Sequence, residues 1–341
     1  MPLSLKFPVA FFLELAAAVL FFSPAAPGAE NQLPDADFHR GFTVEPILQV
    51  KEPPRRLGNI FFDGDNRAEE NSSTEEPAWI LAPHYTRYDI TKTALLEENG
   101  WLIHGTRGEE IALREANGER ILRLSVRTDR QYDRPRRLNE PWPHLLLVQS
   151  FPADRFNGLD HRSLVFSFDV KIDSWENCMS SEEYDRTLHT AQTTAYFIVK
   201  NVRKGSPDQN DYIWLGIPIF DARYRVIPPY CALDGNPEVL GTGKLIYTLG
   251  GEDAYESVYG GDNPYDGQWC HGEIDLTTKL KEALDRAKER GFLTQTEISD
   301  LAVVHFNVGW EVPGTFRASM EIKNLRLAFA EAEKQAPRAP R

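Results

Sequence analysis

The chain has 341 residues, of which 41% are hydrophobic, 11% aromatic and 26% charged, and its formal net charge is −13. That length and apolar content suffice for one large or two ordinary domains with a true core. The carboxylate surplus excludes a nucleic-acid partner, whose phosphates need protein cations, and an anionic membrane surface for the same reason.

In chain order, Lys6 precedes an apolar run from Phe7 to Phe22, and small residues follow at Ser23–Ala29. This is the pattern of an export signal over residues 1–28. Glu14 interrupts the run, which is short of the about 20 apolar residues of a membrane span. The expectation is an exported protein, periplasmic or extracellular, with no membrane span after signal cleavage. Residues 29–58, with Pro34, Pro46, Pro53 and Pro54, read as a leader or linker. A single domain is expected over 59–330, and a disordered tail over 331–341.

Asn59–Asp65 reads as a first strand ending in an Asp-Gly turn, followed by an acidic turn at Glu69–Glu76 with a formal glycosylation sequon at Asn71. Short strands then recur at Trp101–His104, Ile121–Arg127, Leu145–Phe151, Thr193–Val202 and Tyr212–Arg223. Leu164, Phe166, Phe168, Val170 and Ile172 form the longest alternating face. Regular strand spacing with few helical patterns predicts an all-β protein, a β-sandwich of jelly-roll type. One inserted amphipathic helix is read from Leu280, Ala283, Leu284 and Ala287, with Asp275 or Thr277 as cap and Gly291 as stop. Lys281/Asp285 and Glu282/Arg286 are its expected surface pairs.

The stretch Leu301–Glu311 alternates so that Val304, Phe306, Val308 and Trp310 face a core, while Val303, His305, Asn307, Gly309 and Glu311 face the other way. In Phe316–Phe329 the apolar phase changes at Lys323-Asn324, which predicts a bulge. Cys178, Cys231 and Cys270 match no metal spacing. One disulfide with a free thiol and three unpaired thiols both remain open. Arg127, Arg130, Arg134, Arg136 and Arg137 form a basic cluster interleaved with Asp129 and Asp133, read as a solvated loop or as a patch for an acidic sugar.

In Tyr212–Arg223, Ile213, Leu215, Ile217 and Ile219 take the core phase and Tyr212, Trp214 and Phe220 the opposite one. An aromatic on the non-core face of a sheet suits the C–H face of a sugar ring, with polar forks nearby for its hydroxyls. Asp221, Arg223, His305, Asn307 and Glu311 supply those forks. Trp269 and His271, in a Gly/Tyr/Asp-rich stretch at 246–271, are expected to overhang the same cleft. The candidate ligand-binding set is therefore Tyr212, Trp214, Asp221, Arg223, Trp269, His271, His305, Asn307 and Glu311, for a polysaccharide or oligosaccharide. Non-catalytic binding is the first reading. The alternative is a glycoside hydrolase using Asp221 and Glu311 as a carboxylate pair, or a polysaccharide lyase using His305 with Tyr212 or Arg223. A structural envelope protein with a partner interface is a third. The chain lacks a Gly-x-Ser-x-Gly elbow, a His-Glu-x-x-His pair and a phosphate-cradling loop.

Three segments carry a resemblance to the galactose-binding-like β-jelly rolls of carbohydrate-binding modules. They are Asn59-Ile-Phe-Phe-Asp-Gly-Asp65, the pair Val148–Phe151 and Leu164–Lys171, and the closing Met320–Leu327. The resemblance implies a structural calcium between the first and last strands, for which Asp63, Asp65 and Glu321 occupy the matching positions.

Overall fold

The computed structural model describes residues 30–62, 76–235 and 241–330. The early strands are β1 (Phe42–Val44), β2 (Gly58–Ile60), β3 (Trp79–Ala82), β4 (Leu96–Glu98) and β5 (Trp101–Gly105). Next come β6 (Glu109–Ala116), β7 (Glu119–Arg127), β8 (His144–Ser150), β9 (Leu164–Asn177), β10 (Gln192–Asn201) and β11 (Tyr212–Asp221). The last are β12 (Tyr230–Leu233), β13 (Leu245–Thr248), β14 (Cys270–Asp275), β15 (Leu301–Glu311) and β16 (Phe316–Phe329). Two helices, α1 (Glu252–Tyr259) and α2 (Leu276–Glu289), lie on either side of β14 in sequence.

The strands form a nine-stranded sheet, β12-β13-β11-β10-β15-β8-β3-β1-β2, and a seven-stranded sheet, β14-β9-β16-β7-β6-β5-β4. Packed face to face they make a jelly-roll sandwich. The period of two sends Leu164, Phe166, Phe168, Val170 and Ile172 of β9 inward, all of them buried. Phe166 meets Phe197 at 5.1 Å and Phe306 at 5.2 Å between ring centroids, so aromatics from both sheets interlock at the centre. Trp310 crosses the same space, and its Nε1 donates to the Leu124 carbonyl of the opposite sheet at 2.9 Å.

Bulges change two expected faces. The β10–β15 register shifts between Ile198 and Val199, which pair with His305 and Val303. Val304 is the extra residue, so Val303 turns into the core and Val304 is only partly buried, the reverse of the simple alternation. A second shift between Thr193 and Thr194 skips Ile219 on β11 and turns Phe220 inward, against Trp310 and stacked on Tyr265. Asp221 is thereby delivered to the outer face. The bulge expected in β16 is present: pairing with β9 breaks between Lys323 and Arg326, and Asn324 takes φ 54°.

Residues 30–58 are integral to the sandwich, unlike a leader or linker. Leu33, Phe38, Phe42 and Val44 are buried, and β1 pairs with both β3 and β2. Asn31 Nδ2 donates to the Leu325 carbonyl and its Oδ1 accepts from Leu327 N, tying the segment to β16. The first predicted strand shortens to β2, and the acidic turn and Asn71 lie outside the described residues. So do the export signal at 1–28 and the tail at 331–341. No helix among the described residues is long and apolar enough to cross a membrane.

The predicted helix is α2. Asp275 Oδ1 accepts from Thr277 N, Leu280, Ala283, Leu284 and Ala287 are buried, and Gly291 follows at φ +83°. Its surface pairs are Lys279–Glu282 and Arg286–Glu289 rather than those expected. Asp275→Ala is expected to lower stability by about 1 kcal/mol, read as a reduced urea midpoint at unchanged slope. The helix α1 falls within 246–271, whose tyrosines pack inward. Tyr255 and Tyr259 are buried, and Tyr259 OH donates to the Pro218 carbonyl. Cys178, Cys231 and Cys270 are free thiols. In the basic cluster, Arg127, Arg130 and Arg134 pair with Glu110, Asp129 and Glu140, and Arg136 lies over Trp142.

Candidate active site

The outer face of the nine-stranded sheet holds a cleft of about 1120 Å³. Its walls rise from 45–54, Trp142, Tyr224–Tyr230 and the residues Asp234 and Thr242. Strand register aligns its floor in three rows. The first runs Asp221, Gln192, Glu311, His144 across β11, β10, β15 and β8. The second runs Thr248, Gly216, Tyr196, Asn307, Val148, Ile80, and the third Ile246, Trp214, Ile198, His305, Ser150.

Glu311 is the centre of the first row. Gln192 Nε2 donates to its Oε2 at 3.0 Å, and His144 Nε2 lies 3.9 Å from its Oε1. Burial raises its pKa, and the negative charge of Asp234 raises it further. His144 supplies no counter-charge, because burial pushes its pKa down to about 4. His84, whose ring is 5.6 Å from that of His144, is pushed down to about 3 by burial and by His144. Burial thus shifts the Glu311 carboxyl toward its protonated form, against the opposing hydrogen bond from Gln192 and beside two neutral imidazoles.

Asp221 is placed differently. Arg223 Nε donates to its Oδ1 at 2.9 Å and Nη2 to its Oδ2 at 2.6 Å, while Thr190 Oγ1 also donates to Oδ1. Both oxygens are engaged, so Asp221 cannot serve as the free partner of Glu311. Asp234 also lines the cleft, close enough for its charge to act on Glu311, and its Oδ2 accepts from Thr242 N and Oγ1. Trp214 stands in the third row, edge-on to Tyr196 and His305, with its Nε1 donating to Thr242 Oγ1 at 3.3 Å. Tyr196 lies across Gly216, where an added Cβ would fall 2.6 Å from its ring, and its hydroxyl meets Thr248 Oγ1 at 3.2 Å. Burial, then the charge of Glu311, raises the Tyr196 pKa, so this phenol stays protonated. His305 is pushed down to about 4 by burial and shares a 3.2 Å hydrogen bond with Ser150 Oγ through Nδ1.

The cleft therefore gathers Trp214, Asp221, Arg223, His305, Asn307 and Glu311. Tyr212 sits behind Trp214, its ring 6.1 Å away, outside the lining. Trp269 and His271 are not brought to the cleft. They lie at β14 of the other sheet, where Lys323 covers Trp269 and His271 Nδ1 pairs with Asp169 Oδ1 at 2.7 Å. Glu321 also belongs to that sheet. Arg114 Nη2 approaches its Oε2 at 3.5 Å. Asp63 and Asp65 lie outside the described residues, among which no cluster of three or more His, Cys, Asp or Glu is arranged to hold a metal.

Sequence reasoning missed Gln192, Tyr196, His144 and Asp234. The alternation of Gln192, Thr194 and Tyr196 with buried Thr193, Ala195 and Phe197 was readable along β10. What it could not show was that β10 lies beside β15, so that Gln192 meets Glu311.

The fold and site together define a β-jelly roll with a long cleft on its larger sheet. No family model and no curated protein matches the sequence. Among solved structures the chain is similar to a family 12 xyloglucanase from Bacillus licheniformis (11% identity, 74% of this chain and 99% of that one, TM-score 0.39). It is also similar to the family 11 xylanase from Neocallimastix patriciarum (9% identity, 69% and 94% covered, TM-score 0.34). An endoglucanase from Rhodothermus marinus gives 7% identity, 67% and 92% covered, and TM-score 0.34. Likeness of this degree carries no inference about chemistry. The expected galactose-binding-like module remains a resemblance of sequence segments.

Proposed function

We propose that this is an exported protein that binds a polysaccharide along the cleft and hydrolyses it, with Glu311 as proton donor and Asp234 as the second carboxylate. The observation that carries the proposal is Glu311 itself, a carboxyl in the middle of a cleft whose surroundings disfavour its charge. Gln192 occupies Oε2, which leaves Oε1 to hold the proton and present it to a glycosidic oxygen. A binding protein has no need of an acid with a raised pKa there. Glycoside hydrolysis does, together with a second carboxylate that stays ionised.

A lyase is less well supported. Removing a proton beside a uronate carboxylate calls for a cation to hold that carboxylate; Arg223 is already spent on Asp221, and Lys51 stands among the carboxylates of Glu45 and Glu52 on the 45–54 wall. Binding without cleavage keeps one observation in its favour, the same ion pair, because it removes Asp221 from any acid pair. Incubation with neutral polysaccharides and assay of new reducing ends separates the two. Product formation supports hydrolysis, and retention on an affinity gel without product returns the protein to binding alone. Trp214→Ala is expected to weaken retention at least tenfold, with little change in melting temperature. Unchanged retention removes the indole from the site.

A further inference from the structure

The cleft is chemically lopsided. Its β10–β15 half is polar, with Gln192, Thr194, Tyr196, Asn307 and Glu311. On β3 and β8 the floor is aliphatic: Ile80, Ala82, Leu146 and Val148, walled by Ile47 and Val50. Ala82 and Leu146 are almost closed off by their neighbours, but Ile47, Val50, Ile80 and Val148 are only half-buried. Half-buried aliphatics side by side on the outer face of a sheet mark a surface made to be covered.

This recess opens directly from the acid. Gly309 pairs with Leu146 between Glu311 and Asn307 on β15. A Cβ there would fall 2.1 Å from the Leu145 carbonyl oxygen and φ is +153°, so no side chain stands between Glu311 and the aliphatic floor. Leu146 is two residues along β8 from His144, about 7 Å from the row that holds Glu311. A group in the recess is therefore within reach of a molecule held at Glu311.

Charge restricts that occupant. Carboxylates of Glu45, Glu52 and Asp234 face the cleft against Lys51, Arg223 is bonded to Asp221, and Glu311 brings no positive charge. The three lining histidines, His84, His144 and His305, are held neutral by burial. A fatty acid, a uronate or a sulfated sugar would meet unbalanced negative charge. We infer that the cleft takes a neutral polysaccharide bearing short uncharged acyl groups, one of which lies in the recess formed by Ile47, Ile80, Ala82, Leu146 and Val148. The inference rests on the polysaccharide reading and sharpens it to a substrate class.

The test uses O-acetylated xylan and O-acetylated glucomannan, each beside its alkali-deacetylated form. Turnover is measured with the wild-type chain, and retention on immobilised polymer with Glu311→Gln, so that preference is read with and without cleavage. Wild type is expected to favour one acetylated polymer over its bare form by about tenfold in kcat/KM, the discrimination a single buried apolar group provides. The double change Ile80→Thr with Val148→Thr adds two hydroxyls, isosterically at Val148 and with loss of the terminal methyl at Ile80. It should bring that ratio close to one. Val148→Ile, which fills the recess without polarity, should lower the ratio too. Equal handling of acetylated and bare polymers by the wild type, or a preference that survives in both sets of variants, overturns the inference. If neither form of either polymer is retained or cleaved, the polysaccharide reading itself falls.

Discussion

Glu109→Gln is expected to raise stability at pH 7 by about 2 kcal/mol and to flatten its dependence on pH. Glu109, at the start of β6, is 1% exposed, and neither carboxylate oxygen has a hydrogen-bond partner of good geometry. Thr86 and Gln131 lie beside it, and both favour the ionised form, but desolvation outweighs them and pushes the pKa up to about 8, with Asp89 adding to the rise. The unfolded chain releases this proton near 4.5, the folded one only near 8. The contribution of Glu109 to stability is therefore fully present below about pH 4.5, is lost as pH rises through the interval and levels off above about 8. The linkage penalty at pH 7 is about 3 kcal/mol, and an amide that finds only some of its partners recovers part of it. Urea denaturation at pH 5 and pH 8 checks this. Wild type should lose stability between the two, and the variant should lose much less. Equal losses would mean that Glu109 is ionised in the folded protein.

The larger effect on activity is expected from Glu311→Gln. Glutamine preserves the shape of the group but has no acidic proton to give. If Glu311 protonates the leaving oxygen, polymer hydrolysis should fall about 10²–10⁴-fold, the usual contribution of a positioned general acid. Retention of the polymer should change little, because the protonated acid and the amide fill the same space. The pH dependence follows from the raised pKa: wild-type activity is present while Glu311 holds its proton and falls as pH rises through that pKa. Burial pushes His144 down to about 4 and His84 down to about 3, below the ordinary carboxylate value from which Glu311 is raised, so the limb is assigned to Glu311. A steady-state profile with reducing-end detection, run beside a retention assay, measures both consequences.

The sandwich was legible because period-two patterning in β7, β9 and the second half of β16 is nearly uninterrupted, and α2 carries cap, stripe and stop in order. The failures have local causes. Alternation cannot locate a bulge whose extra residue is itself apolar, so Val303 and Val304 exchanged faces and Phe220 was assigned to the surface. Proline-rich composition at 30–58 suggested a linker, yet Phe38, Phe42 and Val44 are core residues and β1 is held by strands far along the chain. In the site, the polar face of β15 and Trp214 on β11 could be seen because each strand declares its own two faces. Gln192 beside Glu311 and His144 on its other flank depend on which strands are neighbours, whereas Arg223 closes on Asp221 through the local turn after β11. Trp269 and His271 failed for the same reason: their types suit a sugar, but β14 pairs with β9 on the opposite sheet.

Proton donation by Glu311 is tested most directly by changing how much the leaving group needs it. Hydrolysis of a 2,4-dinitrophenyl glycoside, whose phenolate departs unprotonated, is compared with hydrolysis of a neutral polysaccharide by wild type and Glu311→Gln. A variant that loses polymer hydrolysis but keeps the activated substrate within about tenfold of wild type is the predicted result. Equal losses on both substrates, or none on either, would contradict it.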